Sequence, residues 1–265
     1  MAAEPIKVVV HGALGKMGRE VINAVCREEG LQLAGAVEIK TAQKQLRLPD
    51  TSAWVPFSSS LEEIIDRCRP DVIIDFTVAT AALSAAHIGI KRGVSLVIGT
   101  TGLSVAELDQ IDSMAKEKGV GVVVAANYAL GAVMMMYLAK IAAGYFDYAE
   151  IIEQHHENKA DAPSGTSLTT ARLMAEARDK PFKQPLKPES TESRGKDVEG
   201  VPIHSVRLPG ILARQEVILG AAGQTLSIKH DTVSRECYMP GVMLAAREVV
   251  RCKGLVRGLD SLLDL

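Results

Sequence analysis

Residues 8–25 read VVVHGALGKMGREVINAV. A β-branched apolar run enters a loop with glycines at 12, 15 and 18. The loop opens into a segment whose Val21, Ile22 and Val25 recur at helical spacing. Strand, glycine turn and helix in that order begin a βαβ unit. Gly12 permits the tight turn out of the strand, Gly15 lets the backbone approach a pyrophosphate, and Gly18 permits close packing of helix on strand. The helix N-terminus then faces the anion. The spacing, G-x-x-G-x-x-G, differs from the commoner G-x-G-x-x-G, so the glycines alone are a weak signal. Glu38 strengthens it. It ends the next apolar run, roughly twenty residues on, where a carboxylate can accept from ribose hydroxyls. Together they favour a bound dinucleotide over a merely structural turn, with Ala13, Leu14, Lys16 and Met17 completing the loop.

The alternation continues outward. Apolar runs at 6–10, 31–37, 71–76, 95–99 and 121–126 suit strands covered on both faces. Helical segments separate them, with capping boxes expected at Ser60/Glu63 and Ser104/Glu107. The predicted fold class is α/β, a Rossmann-like doubly wound parallel sheet. The loops after the fourth and fifth strands, GTTG (99–102) and AANYALG (125–131), lie at carboxyl ends, where such sheets bind ligands. Gly99, Thr100, Thr101, Ala125, Ala126, Asn127 and Tyr128 are therefore candidate cofactor contacts on the nicotinamide side.

The second half changes character. Helices are predicted over 131–146 and 166–177, and strands over 149–156, 201–208, 215–220 and 224–230. Strands without helices between them imply a mixed or antiparallel sheet in a second, α+β domain. Residues 179–200, rich in Lys, Pro, Glu and Ser, read as a mobile surface loop. An amphipathic helix is expected over 240–252.

Bulk properties exclude several classes. The 265 residues carry a formal net charge of −2, too near neutral for a nucleic-acid or membrane-surface partner. Four scattered cysteines without a C-x-x-C pair read as free thiols in a reducing compartment. No apolar run reaches the roughly 20 residues of a membrane span, and residues 1–12 do not read as a signal peptide. A cytoplasmic soluble protein is expected.

The densest chemistry is EQHHENKADAPSGT, residues 153–166. Adjacent histidines on a strand point to opposite faces, so His155 and His156 chelate poorly unless the strand ends between them. Lys159 would place a positive charge beside any metal, and no metal site is expected. An anion site fits better. Ser164 is a natural N-cap, and the amides of Gly165 and Thr166 are free donors at a helix start. A carboxylate held there would lie near Lys159, with His155 and Lys159 able to carry protons.

With these segments together the chain resembles the 4-hydroxy-tetrahydrodipicolinate reductase (dihydrodipicolinate reductase) family along its whole length. The resemblance rests on GALGKMG, Glu38, DFT (75–77), GTTG, AANYALG and above all the 153–166 stretch. It implies reduction of a cyclic dicarboxylate by NADH or NADPH in lysine and diaminopimelate biosynthesis. It implies His155 as acid/base, Lys159 as proton donor, and His156, Gly165 and Thr166 as substrate contacts, with Arg235 a further carboxylate contact. It also implies a homotetramer and a discontinuous nucleotide domain, 1–126 plus 236–265, around a substrate domain, 127–235. An arginine often follows the acid in that family and holds the NADPH phosphate; here Ile39 stands there, and Lys16 and Lys40 are the compensating cations. NADH is therefore expected to serve at least as well as NADPH. Two other readings stay open on the sequence: a different Rossmann oxidoreductase, and a non-catalytic NAD(H) sensor.

Overall fold

The computed structural model describes residues 4–49, 51–184, 192–263 and 265. The chain divides into two compact units, Met1–Ala129 with Tyr238–Leu265, and Leu130–Cys237.

The first unit is built on an eight-stranded sheet. Its strands are β1 (Ile6–His11), β2 (Leu31–Val37), β3 (Gln45–Arg47), β4 (Trp54–Ser58), β5 (Val72–Asp75), β6 (Ser95–Ile98), β7 (Gly121–Val124) and β13 (Gly254–Arg257), in the order β13-β7-β6-β5-β1-β2-β4-β3. Every pairing is parallel except β3 with β4. The chain runs outward from β1 through β2, then returns to build β5, β6 and β7 on the other side. The switch point lies between β1 and β5, where a doubly wound sheet opens a ligand crevice. β5 and β6 are buried at every residue, in keeping with the apolar runs Val72–Ile74 and Leu96–Ile98 that fill most of them. Val9, Ile73, Leu96, Ile98 and Val122 form their core with Ile64 and Ile111 from helices α2 (Leu61–Cys68) and α4 (Val105–Lys118).

Several local expectations need correction. Ser104 and Glu107 make the reciprocal capping box. Ser60 makes only half of one: it caps Glu63 N, but the Glu63 carboxylate accepts from Ser58 Oγ at 2.5 Å. Strands β3, β4 and β13 were not expected; they are short, and Pro56 interrupts the pattern of β4. The helix predicted over 240–252 is α7 (Met239–Glu248), followed by a 3-10 turn, Val249–Arg251.

The second unit carries a five-stranded mixed sheet, order β12-β11-β8-β10-β9. Its strands are β8 (Tyr148–His155), β9 (Lys196–Val198), β10 (Val201–Arg207), β11 (Ala213–Ala221) and β12 (Gln224–Thr232). Only β8 and β10 run parallel. Helices α5 (Leu130–Ala143) and α6 (Gly165–Glu176) share a core with it, made of Ala139, Ile151, Ala171, Met174, Val217 and Leu219. The stretch 179–200 is not a plain loop. It holds a 3-10 turn, Glu192–Arg194, and β9, which borders β10 antiparallel; residues 185–191 lie outside the described residues. No helix among the described residues is long and apolar enough to cross a membrane.

Candidate active site

The glycine loop follows β1 directly. Gly12 sits at φ +84, and a Cβ there would meet Phe76 O at 2.8 Å. A Cβ on Gly18 would overlap the Gly12 carbonyl oxygen, so this glycine sets how closely α1 (Lys16–Arg27) packs on the loop. A Cβ on Gly15 would meet only Gly12 O, at 3.2 Å, so its outer side is open. Helix α1 has no side-chain cap and no acid in its first turn. Its leading amides and dipole suit a phosphate. The amides of Gly12 and Ala13 are spent on Val37 O, while Leu14 N donates to Glu38 Oε2 at 3.1 Å. That bond fixes the Glu38 carboxylate beside the loop and leaves its other oxygen for a ribose hydroxyl. These residues fit a dinucleotide. Lys16 and Lys40 are both exposed, and Ile39 is 77% exposed.

The other loops lie at the carboxyl ends of the parallel strands. Thr101 and Ala126 are exposed there, whereas Ala125 and Thr100 are buried. The Thr100 hydroxyl donates to Asp75 Oδ1 at 2.8 Å and accepts from Thr77 N at 3.0 Å. A Cβ on Gly99 would overlap the Phe76 ring. Asn127 Oδ1 accepts from Ala129 N, a local turn bond. Tyr128 is buried, its ring edge-on to Phe76 and its hydroxyl donating to Ile98 O at 3.0 Å. Burial pushes that phenol far above its ordinary range. Thr100, Asn127 and Tyr128 thus shape the loops with their side chains and offer a cofactor mainly backbone. The group that organises them carries no signal of that role in the sequence. Fully buried Asp75, at the switch point, accepts from His11 Nδ1 at 2.6 Å and from Thr77 and Thr100.

The second cluster grows from β8. Its inward face runs Ala149, Ile151, Glu153, His155, so the apolar core gives way to two polar groups at the strand end. The strand ends at His155, and His156 begins the turn in which its carbonyl accepts from Lys159 N. Glu153 is 0% exposed and fully engaged. Arg207 grips it in a fork, Nη1 to Oε2 at 2.9 Å and Nη2 to Oε1 at 2.8 Å. His155 Nδ1 lies 2.5 Å from Oε2, and Ser164 N donates to Oε1 at 3.3 Å. Burial alone would raise the Glu153 carboxyl. Hydrogen bonds from His155, Arg207 and Ser205 outweigh it and hold the group at about 2. An ionised carboxylate only accepts, so Nδ1 carries the proton and Nε2 is the nitrogen left for a substrate.

Ser164 caps α6 as expected, accepting from Ser167 N. Behind it Ser167 donates to Gln215 Oε1 and Gln215 Nε2 to Thr170 Oγ1, each at 2.8 Å. This buried chain fixes the helix start. The first-turn amides of Gly165 and Thr166 have no intrahelical partner. A Cβ on Gly165 would meet nothing within 4 Å, so the space before them is open. Lys159 Nζ donates to Asp161 Oδ1 at 2.8 Å, which lowers the Asp161 carboxyl. Asp161 is 58% exposed, so the pair is worth about 1 kcal/mol or less and a substrate carboxylate can displace it. Arg235 is half-buried in the 3-10 turn Arg235–Tyr238, with no hydrogen bond to this turn among the described residues. Among those residues no cluster of three or more His, Cys, Asp or Glu could hold a metal. Glu153 and Arg207 were missed as site residues: 54 positions separate them, and only the pairing of His155 with Arg207 across β8 and β10 joins them.

Residues 6–128 match the family described as dihydrodipicolinate reductase, N-terminus, and residues 131–263 its C-terminus. The chain belongs to the dihydrodipicolinate reductase family. A 4-hydroxy-tetrahydrodipicolinate reductase of Dehalococcoides mccartyi is 52% identical over 98% of this chain and 99% of that protein. One from Moorella thermoacetica is 46% identical, covering 98% of each. A solved dihydrodipicolinate reductase from Paenisporosarcina sp. TG-14, bound to dipicolinate, superposes with a TM-score of 0.86 at 38% identity, over 97% of this chain and 99% of that one. An amine dehydrogenase from Mycobacterium smegmatis shares the fold at 14% identity, TM-score 0.65. The glycine loop and the turn after β8 are thus the two candidate sites, one in each unit.

Proposed function

We propose that His155 and Lys159 handle the protons while the Gly165 and Thr166 amides hold a substrate carboxylate. The chain is an NAD(P)H-dependent oxidoreductase of lysine and diaminopimelate biosynthesis. It converts 4-hydroxy-tetrahydrodipicolinate, NAD(P)H and a proton to tetrahydrodipicolinate, NAD(P)+ and water. A nicotinamide dinucleotide supplies the hydride when bound in the first unit. Loss of the 4-hydroxyl as water makes the ring a conjugated imine; hydride addition to it leaves an enamine-like anion, and Lys159 delivers a proton to its carbon. Its ammonium also offsets the substrate's negative charge beforehand. His155, its Nδ1 held by Glu153, presents Nε2 as acid/base. His156, Ser164 and Arg235 complete the substrate contacts. The nucleotide contacts are Gly12 to Met17, Glu38 and Lys40, with Gly99 to Thr101 and Ala125 to Tyr128 on the nicotinamide side.

One observation carries this reading: a buried hydrogen-bond network rooted on Glu153 holds His155 and the open α6 N-terminus together. Following NADH absorbance with the product of the preceding pathway enzyme tests it. Steady turnover is expected in the wild type. Lys159→Ala should lower kcat roughly 10²-fold or more with NADH affinity little changed. A wild-type rate in that variant refutes the role of Lys159.

The unit Leu130–Cys237 would also carry assembly into a homotetramer. Support comes from edge strand β12, whose residues 224–227 are all exposed, and from the exposed Met134, Leu138 and Ile141 of α5. A cytoplasmic setting accords with the free thiols of Cys68, Cys237 and Cys252.

A further inference from the structure

We propose that Glu153 and Arg207 are positioning residues for the reduction: one buried ion pair aims the His155 ring, seats the anion-binding turn and anchors the loop that carries Lys159. This rests on the reading above. The geometry supplies each link. Glu153 Oε2 takes the Nδ1 proton of His155 at 2.5 Å, which selects the tautomer that exposes Nε2. Oε1 takes the amide of Ser164 at 3.3 Å, next to the free amides of Gly165 and Thr166. Arg207 bridges Glu153 to the loop, with Nη2 also donating to Asp161 O at 2.7 Å. Asp161 in turn holds Lys159 Nζ at 2.8 Å. Leu208 N donates to His155 O at 3.1 Å, so β10 grips the strand end by its backbone too. Neither Glu153 nor Arg207 needs to touch substrate. The carboxylate is fully buried, and Arg207 Nη1 and Nη2 already donate to Glu153, Asp161 O and Val206 O, leaving only its buried Nε without a partner among the described residues.

Glu153→Gln tests this, because its amide must donate where the carboxylate accepted from both neighbours. Histidine 15N NMR of the unliganded protein, assigned with His155→Gln, should show the Nδ1–H tautomer in the wild type and its loss in Glu153→Gln. With substrate, kcat should fall roughly 10²-fold or more, as expected when a general acid/base is misheld. Substrate KM should rise as well, because the turn that holds the carboxylate loses its seat, while the NADH dissociation constant from fluorescence should move less than about threefold. Arg207→Lys keeps the charge but not the fork. It should keep the tautomer and still lower kcat roughly tenfold, through the Lys159 loop, and it decides the matter if Glu153→Gln does not fold. A folded Glu153→Gln with wild-type tautomer or wild-type kcat overturns the proposal, as does Arg207→Lys at wild-type rate. A wild type inert towards the substrate would instead overturn the functional reading, and the NMR result would still stand.

Discussion

Replacing Glu153 by Gln should also change how stability depends on pH, and by a calculable amount. Glu153 has no exposed surface, and its partners hold its carboxyl at about 2, against an ordinary value of 4.5. At roughly 1.4 kcal/mol per tenfold in proton affinity, that gap corresponds to about 3 kcal/mol of folding stability. The cost of breaking one side of a buried ion pair, about 3–5 kcal/mol, is of the same order. Because the folded value lies below the unfolded one, this stability is complete well above pH 4.5 and is lost as the pH falls towards 2. At pH 3.5 the wild type should already have lost roughly 1 kcal/mol of it. Urea denaturation followed by circular dichroism at pH 7 and 3.5 measures both quantities. Glu153→Gln should unfold about 3 kcal/mol more easily at pH 7, and the difference should shrink by roughly 1 kcal/mol at pH 3.5. Equal stability at pH 7, or a difference indifferent to pH, would refute the argument that the charge is held by its partners.

Three further outcomes are expected. Gly18→Ala should push α1 off the glycine loop, costing about 1–3 kcal/mol and weakening NADH binding; a thermal melt and a fluorescence titration both at wild-type values would contradict this. Both cofactors should work, with NADH equal or better within roughly tenfold in kcat/KM, about 1.4 kcal/mol, and Lys40→Ala should harm NADPH more than NADH. A strong wild-type preference for NADPH would show the pocket around Glu38 misjudged, and equal losses would remove Lys40 from it. Light scattering on a size-exclusion column should give four times the chain mass, and a monomer at micromolar concentration would end the assembly argument.

The parallel core was legible because β5 and β6 are covered on both faces, which makes Val72–Ile74 and Leu96–Ile98 unbroken apolar runs. The α6 cap was legible because its signal is local, Pro163 and Ser164 beside a free-amide turn. What escaped is non-local. Glu153 reads as one more acid in a polar stretch until the register of β8 with β10 brings Arg207 to it. Asp75 reads as a strand end until His11, Thr77 and Thr100 converge on it. The Ser60–Glu63 spacing was right, but Ser58 competed for the glutamate. Strands of three to five residues such as β3, β4, β9 and β13 carry too few alternations to stand out.

Strand β13 bears on how the chain reaches this state. It pairs Gly254–Arg257 with Gly121–Val124, and a Cβ on Gly121 would overlap Val249 O, so the far end of the chain locks onto a strand made more than a hundred residues earlier. During synthesis β7 therefore emerges as a bare edge and stays one while all of Leu130–Cys237 is translated. That unit has its own core and can fold first, which leaves the earlier unit waiting with an unpaired strand. Closing so long a loop is slow relative to local pairing. The ribosome-bound chain thus passes through an interval in which the inserted unit is finished and its host is not, and pulse proteolysis of stalled chains should find the host cleaved until residues 254–257 have emerged.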